Sequence, residues 1–208
     1  MYITRFFLHL SRAAVVMSLG ACTSQSYFVD GSLKDVSVSQ IERLDHPRPA
    51  QLLFSFKVRG LVDTRTSDIL EDDVTRVITS SGLFAVADKG PAPGGAILNI
   101  TIESFPGTGG EVLGGLASGL TLGLAGSTRK DPFICTVEYV SSPGAKGIAT
   151  TAQHAIYTPL GIIDFRPKGI VIAKNRIDAL RTVTRQSVTA SLQQLSQSPG
   201  FRKEAQVQ

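Results

Sequence analysis

The chain has 208 residues, 42% of them hydrophobic and 18% charged, enough for one core or for one core with an insertion. Its 21 Lys and Arg against 17 Asp and Glu give a net charge of +4, and Arg5 and Arg12 lie in the first dozen residues, so the remainder is close to neutral. That balance, with no clustered basic stripe, gives no basis for nucleic-acid binding, and two cysteines, Cys22 and Cys135, exclude a disulfide framework.

At the N-terminus, Arg5 and Arg12 precede nine uncharged residues, Ala13 to Ala21. A charged region, a short apolar run and small residues are the order of an export signal. The run is too short to span a bilayer, which takes roughly 20 helical residues. It ends on Leu19-Gly20-Ala21-Cys22, which resembles the lipobox of bacterial lipoproteins. The resemblance implies cleavage between Ala21 and Cys22 and acylation of Cys22, palmitate included. Thr23 in place of Asp implies transfer to the outer membrane, on its periplasmic side. Several acyl chains, at about 0.8 kcal/mol per buried CH₂, hold a protein firmly. The mature chain is therefore expected to be anchored and not spanning. Residues 22–50, Ser-rich and ending in Pro47 and Pro49, read as a tether, with a coil reach of roughly 30 Å. Tyr27-Phe28-Val29 is an apolar piece within it that is able to dock.

A domain is expected over 51–198. Leu52, Phe54, Phe56 and Val58 alternate with Leu53, Ser55, Lys57 and Arg59, the period of a half-buried strand. Leu70, Val74, Val77 and Ile78 follow at helical spacing. Asp68 with Glu71 reads as a capping box and Gly82 as a left-handed C-terminal cap, predicting a helix over 68–81. Strands are expected at 83–87 and through Leu98, Ile100 and Ile102. Two more, in "PFICTVEYV" and "GIATTAQHAIYT", join in a hairpin at "SSPGAK". A helix over 173–196 places Ile177, Leu180, Val188, Leu192 and Leu195 on one face, interrupted by Thr184; residues 199–208 read as a tail. This order predicts an α+β fold: a mainly antiparallel sheet, two amphipathic helices on one face and a Gly-rich apolar insertion. It is similar to that of small outer-membrane assembly and secretion lipoproteins, such as those of lipopolysaccharide assembly and curli secretion.

The insertion spans 107–128. Within it, Val112 to Thr128 is uncharged, and Gly115, Gly119 and Gly123 fall four residues apart. On a helix they would form one smooth stripe that permits close helix approach, as in lipid. The alternation of Leu120, Leu122 and Leu124 equally fits a strand, and a packed apolar loop is a third reading. The helical reading makes Gly115, Gly119 and Gly123 a membrane or self-association contact. The glycines lack the lysine of a phosphate-binding loop and the spacing of a dinucleotide fingerprint.

Catalytic patterns are sparse. His46 lies beside Pro47 in the tether, and His154 shares a strand face with Ala152 and Ile156; neither has metal-site spacing. Asp68, Glu71, Asp72 and Asp73 suit the start of a helix, where the macrodipole favours carboxylates. Lys174, Asp178, Arg181 and Arg185 form a solvated face able to meet an acidic lipid head group or a partner. Cys135, on the face of Phe133, Val137 and Tyr139, fits a buried hydrophobe better than an intermolecular bridge. The expectation is a non-enzymatic, cofactor-free and metal-free lipoprotein. It would bind an envelope protein or itself as an assembly accessory, or act in secretion or transport through 107–128. A hydrolase using Asp72 or Asp73 with His154 is the enzymatic alternative.

Overall fold

The computed structural model describes residues 26–31, 33, 38–107, 127–160 and 170–206. Among these residues eight strands form one open mixed sheet, mostly antiparallel: β1 (Tyr27–Val29), β2 (Arg48–Val58), β3 (Leu61–Val62), β4 (Phe84–Asp88), β5 (Ile97–Ser104), β6 (Ser127–Val140), β7 (Ile148–Leu160) and β8 (Val171–Ala173). Their order is β3-β2-β5-β6-β7-β1-β8, with β4 parallel to the start of β2. The helices are α1 (Thr64–Ser81), α2 (Arg176–Gln197) and α3 (Pro199–Gln206).

Alternation decides which sheet face the helices cover. Leu98, Ile100 and Ile102 are fully buried on β5, and register sets Leu52, Phe54 and Phe56 beside them on one side and Tyr139, Val137 and Cys135 on the other. Ala152, His154 and Ile156 of β7 extend the same face. The opposite face carries Ser55, Thr101, Thr136 and Thr151 in one row, with Lys57 opposite Glu103. This is the division expected of an antiparallel sheet packed on one side.

Helix α1 buries Leu70, Val74, Val77 and Ile78, and Gly82 ends it at φ 68°. Its start differs from the expected Asp68. Asp63 is the N-cap, accepting from the Thr66 amide at 3.0 Å and the Thr66 hydroxyl at 2.7 Å, so Asp68 and Glu71 lie inside the helix. Periodicity could not register that first turn, because Thr64 to Ser67 contains no apolar residue.

Helix α2 is capped by Asn175, which accepts from the Asp178 amide at 2.9 Å. Leu180, Val188, Leu192 and Leu195 are buried as expected, but Ile177 is 39% exposed in the first turn. Thr184 is not a gap in the buried stripe, being 1% exposed. Much of the buried surface of α2 is hydroxylic: Ser187 donates to the Val183 carbonyl at 2.6 Å and Thr189 to that of Arg185 at 2.7 Å. Such back-bonding satisfies the Ser187 and Thr189 hydroxyls within the helix, so these two can pack on a sheet.

Two stretches are more ordered than their composition suggests. Within the expected tether, Tyr27–Val29 docks as β1, Ile41 is buried, and β2 begins at Arg48. The expected tail at 199–208 supplies α3, whose Phe201 is fully buried with ring centroids 5.1 Å from Tyr139 and 6.0 Å from Phe84. Pro199 opens this helix, where its missing N–H costs nothing.

Candidate functional site

Several features meet at one end of the sheet. β1 pairs antiparallel with β7, Phe28 opposite Tyr157, and with β8, Tyr27 opposite Ala173. Read backwards, β1 therefore heads toward the start of β6 and the end of β7, where Arg129 stands opposite Thr158. The insertion departs and returns at this same end: the Gly107 amide donates to Asp131 Oδ1 at 3.3 Å, and β6 resumes at Ser127. Arg129 and Lys130 on β6, and the exposed Lys174 and Arg176 after β8, place cations at this end. Two of the described carboxylates there are engaged. Asp131, 6% exposed, pairs with Arg129 at 2.9 Å, and Asp178 Oδ2 accepts the Lys174 backbone N–H at 2.9 Å.

On the face away from the helices lies a cavity of about 530 Å³. Its walls include the apolar Phe105, Pro132 and Ile134, with Asp30, Lys130 and Gln153 supplying polar groups. Pro132 is tolerated in β6 because its carbonyl accepts from Phe105 N–H at 3.0 Å. Its nitrogen thus faces the side on which β5 has already ended. Lys130 Nζ sits 5.7 Å from the Tyr157 ring centroid, and the Tyr157 hydroxyl donates to Asp30 Oδ2 at 3.2 Å. Burial first, and then the Asp30 charge, push the Tyr157 phenol above its ordinary value. A cation, a carboxylate and the Gln153 amide beside apolar walls suit a ligand that is part apolar and part hydrogen-bonding.

His154 backs this cavity and is fully engaged. Its Nδ1 accepts the Ala155 N–H at 2.9 Å, which leaves the ring proton on Nε2, directed at Gln186 Oε1 2.7 Å away. Asp72 and Asp73 do not meet it. Asp72 is exposed on α1, and Asp73 pairs with Arg76 of its own helix at 3.1 Å and, across to α2, with Arg181 at 3.2 Å. Glu71 pairs with Lys89 at 2.8 Å, Asp68 is exposed, and so is His46. Cys135 is buried against α2, and burial pushes its thiol up to about 11, opposed by the Ser191 and Ser187 hydroxyls. No group of three His, Cys, Asp or Glu able to hold a metal occurs among the described residues. Ala21, Cys22, Gly115, Gly119 and Gly123 lie outside the described residues.

Sequence reasoning overlooked Asp30, Lys130 and Tyr157. Three strands bring them together, and only β-register joins positions 30, 130 and 157.

The class that architecture defines is an open α+β sheet domain, helices on one face, with its first strand entering between β7 and β8. No family model matches the chain, and no curated protein matches it.

Proposed function

We propose that the protein is a lipid-anchored envelope lipoprotein, cleaved after Ala21 and acylated on Cys22. It is held on the periplasmic side of the outer membrane, where its domain is a non-catalytic binding or assembly accessory. The observation that carries this reading is Leu19-Gly20-Ala21-Cys22 at the end of a short apolar run that follows Arg5 and Arg12. In the sequence, β1 begins at Tyr27, five positions after Cys22. No helix among the described residues is long and apolar enough to cross a membrane. The polar-rimmed cavity supplies a binding site. The hydrolase alternative asks for Asp72 or Asp73 beside His154, and neither lines that cavity. Fractionation tests the reading: replacing Cys22→Ala should move the protein from the membrane to the soluble fraction, and unchanged membrane retention would refute it.

A second reading has one observation in its favour. The 107–128 insertion joins the sheet at the end toward which β1 leads back, so it attaches on the bilayer side of an anchored domain. A membrane or self-association contact through Gly115, Gly119 and Gly123 follows, and Gly119→Val should weaken it while leaving the sheet folded. Identical vesicle binding and identical oligomeric state in that variant would remove this reading.

A further inference from the structure

The structure limits how far the domain can stand from a bilayer that holds Cys22. Tyr27 lies five positions after Cys22, and a fully extended chain covers at most about 3.6 Å per residue step, so β1 begins within roughly 18 Å of the acylated cysteine. The long tether inferred from composition is thereby replaced by a short leash. Whatever neighbours Tyr27 must lie close to the lipid.

Those neighbours have interfacial chemistry. Among the described strands β8 ends one side of the sheet, and it exposes Val171 at 43% and Ile172 at 60%; Ile177 is 39% exposed in the first turn of α2. Lys174 and Arg176 stand between them, both exposed. Arg129 and Lys130 are on β6 near the same end. Among the described residues, carboxylates near this region are Asp131, buried and paired with Arg129, Asp178, which holds the Lys174 backbone N–H, and Asp30, which takes the Tyr157 hydroxyl. Exposed aliphatic side chains interleaved with cations are what a protein uses to rest on an anionic interface.

We infer that the edge formed by β8 and the first turn of α2 docks on the surface of the bilayer that anchors Cys22. Val171, Ile172 and Ile177 enter the interface, and Lys174 and Arg176 meet anionic phospholipid head groups. This inference rests on the lipoprotein reading and adds an orientation to it: the domain lies against the lipid through one edge. The β6–β7 hairpin then points away, since Ile148 is nine residues from Tyr157, about 30 Å along β7.

The test uses the full lipidated protein in vesicles of phosphatidylethanolamine and phosphatidylglycerol. A fluorophore is placed through Ile172→Cys or, as the distal control, Lys146→Cys in the hairpin. Cys135 is buried, and an acylated Cys22 has no free thiol, so labelling is confined to the new cysteine. Quenching by nitroxide-headgroup lipid should be severalfold greater at 172 than at 146. Replacing Lys174→Gln and Arg176→Gln together should lower the docked-to-undocked ratio about thirtyfold, from about 1 kcal/mol per cation near an anionic surface. Equal quenching at both positions while the protein still floats with the vesicles would overturn the docking and leave the anchor intact. A label at 172 shielded from lipid and crosslinking to a second copy would overturn it in favour of β8 edge pairing. A protein that neither floats nor carries acyl chains would remove the anchor and the docking together.

Discussion

Replacing Phe201→Ala probes whether α3, Pro199–Gln206, belongs to the fold. Phe201 is fully buried and closes a three-ring cluster, edge-on to Tyr139 at 5.1 Å and 82° and to Phe84 at 6.0 Å and 64°. Truncating a buried Phe costs about 3–5 kcal/mol in transfer and cavity terms. Edge-to-face geometry is worth about 0.5–1.5 kcal/mol of that per pair beyond area. Against a total stability of about 5–15 kcal/mol for a domain, the loss is large. Urea unfolding followed by circular dichroism should therefore shift its midpoint sharply downward with an unchanged slope. A cycle with Tyr139→Leu and Phe201→Leu should return a coupling of about 0.5–1.5 kcal/mol. A Phe201→Ala protein within about 0.5 kcal/mol of the parent would match an exposed position and refute the docking of α3.

The Cys135 thiol is raised from an ordinary 9.0 to about 11 by burial. The folded state thus favours the neutral thiol, a contribution complete below about pH 9 and lost as the pH climbs toward 11. Cys135→Ala should flatten that alkaline fall in urea midpoints, and a thiol reagent at pH 8 should modify Cys135 only on unfolding. A thiol that reacts at once in the native protein would contradict its placement. Asp63 has the opposite sign: hydrogen bonds from Thr66 hold its carboxyl below the ordinary value. Its ionised contribution is present above about pH 4 and fades as the pH falls through the folded value. Asp63→Ala should cost about 0.5–2 kcal/mol at pH 7 and progressively less in acid; an equal cost at pH 3 would contradict the cap.

Much of the sheet and both long helices were legible because their signals are local. β2, β5 and the β6–β7 hairpin alternate over enough residues to reveal a face, and Gly82 ends α1 where only a left-handed residue fits. What stayed hidden depends on distant partners. β1, β3 and β8 are two or three residues long and exist because neighbouring strands offer free edges. Pro199-Gly200 suggested an end, whereas Phe201 and Ala205, four residues apart, bury one face of α3. The buried side of α2 contains Ser187, Ser191 and Thr184, residues that an apolar count does not register. The cavity was least visible, because Asp30, Lys130 and Tyr157 acquire proximity only through register.

The central claim is chemical, that this domain hangs from an acylated cysteine five residues before its first strand. Mass spectrometry of the mature N-terminal peptide from bacterial envelopes tests it directly. The account predicts a peptide that begins at Cys22 and carries acyl chains on it. A retained Met1, or a Cys22 with an unmodified thiol, would contradict it.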